Sequence, residues 1–170
     1  MQTTLVMTVI GPDRTGLVES IARTVAEHGG NWLESRMCRL GGEFAGLIRV
    51  VVPDEKKRPL IAALEKMADL TIVVRSETPP QSAKQAMLVA LEVVGQDRPG
   101  IVREMTRALS AQGINVEELV TECVSAPMSG EPLFQARAQI LVPGEITLES
   151  LQQSLEQSLP GLSVELERMK

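Results

Sequence analysis

Gly11-Pro12-Asp13-Arg14-Thr15-Gly16-Leu17-Val18 recurs 84 residues later as Gly95-Gln96-Asp97-Arg98-Pro99-Gly100-Ile101-Val102. Each copy follows an aliphatic run, at 5–10 and 87–94, and the same offset carries Gly29 onto Gly113 and Asn31 onto Asn115. Chance could supply a four-residue match in a chain of 170 residues. It would hardly supply the flanking runs, the glycine and the asparagine in register as well. The chain reads as a tandem duplication.

Working outward from the motif, each copy shows the same order of elements. Leu17/Ile21/Val25 and Val18/Ala22/Ala26 form two adjacent rows at spacing four, the apolar face of a helix over 15–28. Asp13 is placed to cap it, and Gly29-Gly30 to end it in a left-handed turn. Residues 32–40 and 44–52 read as strands joined at Gly41-Gly42, a two-residue hairpin signal. A second helix is expected over 57–68 and a last strand over 70–74. In the second copy, Ile101, Met105 and Leu109 stripe a helix that has Pro99 at its start. Strands follow at about 114–125 and 133–142. Leu148, Leu151, Leu155 and Leu159 mark the second helix, and 162–166 the final strand. The expected fold class is α+β, two tandem ferredoxin-like βαββαβ domains, each an antiparallel sheet with helices on one face. Domain one is 1–77, a Pro-containing linker 78–85, and domain two 86–170.

Composition limits the function. Hydrophobic residues make up 44% and charged ones 23%, a globular balance, while aromatics are only 2%, so the cores must be aliphatic. No run approaches the length of a membrane-spanning helix and the N-terminus reads as a strand, so a cytoplasmic protein without membrane contact is expected. Residues 1–77 carry ten basic and ten acidic side chains, whereas 78–170 carry seven and twelve, so the net charge of −5 lies in the second half. Such a surface repels phosphate backbones, and direct nucleic-acid binding is not expected. The acidic half could instead steer a basic protein partner.

Catalytic and metal signals are weak. His28 stands alone at a helix end, where a structural cation suits the helix dipole, and Gln112 replaces it in the second copy. Cys38 and Cys123 lack metal-ligand spacing and read as small buried hydrophobes in mid-strand. An enzyme is not expected, nor a metal or cofactor. The loop joining first strand to first helix is more telling. Its glycines permit close approach, the helix amides can hold an anion, an adjacent Asp can hold an ammonium group, and an Asn amide can donate and accept. That set suits a free amino acid, although the same residues would equally serve as caps and turns.

The pattern G-x-D-R-[TP]-G-[LI]-V after a strand, with G-x-N downstream, resembles the ACT domain of amino-acid-responsive regulators. The tandem arrangement, with Asn31-Trp32-Leu33-Glu34-Ser35-Arg36-Met37, Leu40-Gly41-Gly42-Glu43-Phe44 and Asn115-Val116-Glu117-Glu118-Leu119-Val120-Thr121, is similar to the glycine cleavage system transcriptional repressor family. That resemblance implies a non-enzymatic regulator that leaves DNA to a separate DNA-binding transcriptional activator and restrains it by protein contact. Glycine or another small amino acid would be the effector. It implies ligand residues Asp13, Arg14, Thr15, Gly16 and Asn31, with Asp97, Arg98, Pro99, Gly100 and Asn115 in the second copy. It also implies edge-to-edge domain pairing and a possible homodimer. The other readings of the same chain are a stand-alone regulatory subunit of a metabolic enzyme and a plain dimerisation module. If only one loop binds tightly, the first is expected to, because Thr15 keeps an amide hydrogen that Pro99 lacks.

Overall fold

A computed structural model describes residues 1–77, 86–126 and 130–169. The chain packs as two units, Met1–Pro80 and Gln81–Lys170; the linker expected at 78–85 lies outside the described residues. In the first unit β1 (Gln2–Pro12), α1 (Leu17–Glu27), β2 (Asn31–Leu40), β3 (Glu43–Pro53), α2 (Asp54–Glu65) and β4 (Thr71–Ser76) follow in order. The second repeats this as β5 (Ala86–Gln96), α3 (Ile101–Ser110), β6 (Asn115–Ser125), β7 (Pro132–Pro143), α4 (Leu148–Ser158) and β8 (Leu162–Arg168). Both sheets are antiparallel, ordered β2-β3-β1-β4 and β6-β7-β5-β8. These are two ferredoxin-like βαββαβ domains.

Strand alternation decides which face each helix covers. Leu5, Met7 and Val9 of β1 point to the same side as Ile48, Val50 and Val52 of β3, and onto them fold Leu17, Ile21 and Val25 of α1 and Leu60 and Leu64 of α2. In the second unit Phe134, Ala136, Ala138, Ile140 and Val142 all turn inward, as their alternation requires. Met105, Leu109, Leu151 and Leu155 close over them. Fully burying each such aliphatic side chain contributes roughly 1.5–3 kcal/mol against the cost of ordering the chain. Phe134 is the aromatic among these buried residues, and Trp32 and Phe44 pack partly buried against the first core.

Several local expectations are corrected. Asp13 does not cap α1: the N-cap is Gly16, in the left-handed region at φ 83, without a side-chain cap. Asp13 instead gives its amide to the Gly42 carbonyl at 3.0 Å, which ties the loop to the β2–β3 turn. Gly100 likewise caps α3 at φ 95, so Pro99 stands one residue before the cap and outside the first helical turn. Helix α2 runs three residues earlier than the apolar spacing indicated, because Pro53 launches it and places Asp54 and Glu55 in its first turn. Cys38 and Cys123 are exposed. They lie on the sheet-edge strands β2 and β6, each flanked by a strand on one side only. The Gly41-Gly42 hairpin is as expected, with both residues at positive φ. His28 Nδ1 lies 2.8 Å from the Thr24 carbonyl at the end of α1. Gln112 makes the same turn-back bond to the Ala108 carbonyl.

Candidate functional site

The loop between β1 and α1 is shaped by both of its glycines. A side chain at Gly11 would run into the Asp69 carbonyl and the Leu70 side chain, where the chain enters β4. At Gly95, Leu162 fills the same space. The first glycine of the motif therefore admits the chain's own final turn and not a ligand. Gly16 does the opposite: nothing lies within 4 Å of its missing Cβ, and its φ of 83 alone demands glycine. It turns the chain sharply into α1 and leaves the first-turn amides without a side-chain cap.

Beside that turn lies a pocket of about 290 Å³ lined by Asp13, Arg14, Gly16, Leu17, Val18, Glu19 and Phe44. Its floor is the N-terminus of α1, where partial positive charge gathers. Asp13 offers a carboxylate, held by Arg39 of β2 at 3.3 Å. Arg14 is exposed and makes no hydrogen bond or ion pair among the described residues. Phe44 sits opposite Gly11 in the β1–β3 register, which brings it to the loop end of the sheet. No pattern of residues marks Phe44 as a lining residue; only pairing across the sheet reveals it.

Thus Asp13, Arg14 and Gly16 come together, and Thr15 lies exposed in the same loop without lining the pocket. Asn31 does not join them. It opposes Val51, eight positions along β3 from Glu43, which pairs with Pro12. At about 3.4 Å per residue the separation is about 27 Å. Asn115 stands in the same relation to its loop, opposite Leu141, and gives its side-chain amide to Glu117.

The second loop is wired differently. Arg98 forms a two-pronged pair with Glu104 of α3, Nη1 to Oε1 at 2.9 Å and Nη2 to Oε2 at 2.6 Å. Those hydrogen bonds hold the Glu104 carboxyl below its ordinary range and raise Arg98 further. The first copy has Ser20 at that position, its hydroxyl turned to the Gly16 carbonyl. Asp97 also has a different neighbour. By register Cys123 is the counterpart of Arg39. Its thiol is pushed up by desolvation and then by the Asp97 carboxylate, so it stays protonated where a thiolate nucleophile would be needed.

Fold and loop define the class: paired ferredoxin-like domains in which a glycine-bounded Asp-Arg loop opens the first helix of each. Residues 3–75 match the family model of the ACT domain. The second unit repeats the order of elements that this match covers in the first. The chain is 29% identical over 168 residues to the glycine cleavage system transcriptional repressor of Escherichia coli (strain K12), covering 95% of this chain and 85% of that one. Among solved structures, an unknown protein from Galdieria sulphuraria matches at a TM-score of 0.89 and 27% identity over the whole of both chains. A protein provisionally named as a glycine cleavage system transcriptional repressor matches at a TM-score of 0.70 and 22% identity, over 100% of this chain and 99% of that one, and so shares the fold. Among the described residues no helix is long and apolar enough to cross a membrane.

Proposed function

We propose that this chain is a non-enzymatic regulator that binds a small free amino acid at the N-terminus of α1 and acts through contact with another protein. The observation carrying this reading is the 290 Å³ pocket on Gly16, Leu17 and Val18, with Asp13 and Arg14 at its rim. An amino acid presents a carboxylate and an ammonium group on one carbon atom. Its carboxylate would lie on the first-turn amides and the Arg14 guanidinium, and its ammonium beside Asp13. The volume is at the bottom of the range for ligand sites, which favours glycine or serine over larger side chains. Arg98 is engaged by Glu104 while Arg14 has no partner among the described residues, which favours the first loop as the binding one. The likeness to a glycine cleavage system transcriptional repressor over 95% of the chain supports a regulatory role; in this reading glycine is the effector and a DNA-binding activator is the protein restrained.

Calorimetric titration of the full chain with each of the twenty amino acids tests this. Saturable binding by one small amino acid, weakened about tenfold or more in Arg14→Gln and unchanged in Arg98→Gln, is expected. Absence of heat and of thermal stabilisation with all twenty overturns the sensor reading. Capture of a biosynthetic enzyme in place of a DNA-binding protein would overturn the proposed partner.

A further inference from the structure

The faces of the two sheets turned away from the helices differ in charge at matching positions. On the first, Val6 lies between Arg49 on β3 and Arg75 on β4, and the next row is Leu47, Thr8 and Val73. Leu47 and Val73 are 50% and 49% exposed, so an apolar stripe stands open beside Arg75 and beside Arg49, which is paired with Glu77 at 2.9 Å. On the second, the corresponding rows are Gln139, Ala90 and Glu167, then Arg137, Glu92 and Glu165. Where the first domain has Val73 and Arg75, the second has Glu165 and Glu167.

This acidic arrangement is costly for a domain on its own. Glu92 and Glu165 are directly opposed on neighbouring strands, a pairing that like charges destabilise. Arg137 reaches only Glu92, at 3.3 Å. Glu165 and Glu167 are exposed and make no ion pair among the described residues, and Arg75 is equally without a partner. The glutamates border a cavity of about 720 Å³ with Val120 and Met169 on its wall, a recess for apolar side chains ringed by negative charge. One face thus projects aliphatic side chains beside Arg75, and the other recedes among four glutamates and Arg137.

We propose that the open sheet face of the first domain docks on the open sheet face of the second domain of another copy of this chain. Made reciprocally, the two contacts close as a homodimer, with Arg75 of each chain facing the Glu165–Glu167 pair of its partner. The charge complement sets register and speeds encounter, while burial of Leu47 and Val73 supplies the apolar contribution. This inference stands on the charge pattern and is independent of ligand binding at α1.

Sedimentation of the full chain over a concentration series tests it, with Arg75→Glu and Glu167→Arg made separately. Each variant sets like charges together in both contacts of its own dimer, and association should fall about tenfold or more. Mixed one to one, the two variants restore opposite charges in both contacts, and a dimer of near-native affinity should return. That return also shows both variants to be folded. A chain that stays monomeric at every concentration overturns the proposal, as does a dimer indifferent to either variant. Failure of the mixture to recover overturns it too, since charges paired within one chain cannot be rescued by mixing.

Discussion

Two arginines occupy one place in the repeat and have different company. Arg14 extends from its loop without a partner among the described residues, whereas Arg98 is held by the Glu104 carboxylate. The pair has a pH signature whose sign follows from the lowered Glu104 carboxyl. Such a group contributes stability that is present above its unfolded value and lost as pH falls through its folded one. Unfolding free energy should therefore decline on the acid side of the ordinary carboxylate range, and Glu104→Gln should flatten that decline. Denaturant titrations at a series of acidic pH values check this; an unchanged slope in the variant would mean the pair adds nothing. Glu104 and Arg98 could be read from the sequence as charged residues six apart. That they meet depended on Gly100 turning the loop back over the first turn of α3, which a string of residues does not display.

At the scale of elements, helix faces and strand alternation were largely legible. The apolar rows of α1, α3 and α4 and the inward turn of Phe134 through Val142 follow from periodicities that burial imposes directly. Helix ends were harder to read, because a cap is decided by one residue's dihedrals. Gly16 takes the cap that Asp13 was expected to fill, and Thr147 caps α4 through its hydroxyl, which accepts the Ser150 amide at 3.2 Å. Thr147→Ala should cost about 1 kcal/mol, read as a lower denaturation midpoint with an unchanged slope. The bulges at equivalent places in β2 and β6, after Trp32 and Val116, were invisible in the residues alone. Each inserts one extra residue, which changes the face on which later side chains of the edge strand emerge. Cys38 and Cys123 look nearly equivalent, yet they stand 85 positions apart against the repeat's 84, and the register pairs Cys123 with Arg39 as its counterpart.

For the molecule as a whole, two self-contained cores sit in one chain. If the effector binds at α1 alone, stabilisation should be confined to the first domain. At a concentration one hundred times the dissociation constant, mass action contributes about 2.7 kcal/mol. Amide exchange should slow in α1 and β1 and remain unchanged in α3 and β5. Equal protection of both domains would place the ligand in both loops.

By itself the sequence determined the duplication, the βαββαβ order, the aliphatic cores and the acidic balance of the second half. These are properties of periodicity and composition, which local residues carry wherever they lie in space. Tertiary structure alone decided that Asp13 belongs to the β2–β3 turn, that Phe44 lines the pocket, and that Asn31 stands at the far end of its sheet. It also decided that Arg49 and Arg75 flank Val6 while Glu165 and Glu167 occupy the matching edge of the second sheet. Each of these depends on strand register, which joins residues tens of positions apart, and register is settled by packing across the sheet and not by any stretch of chain read alone.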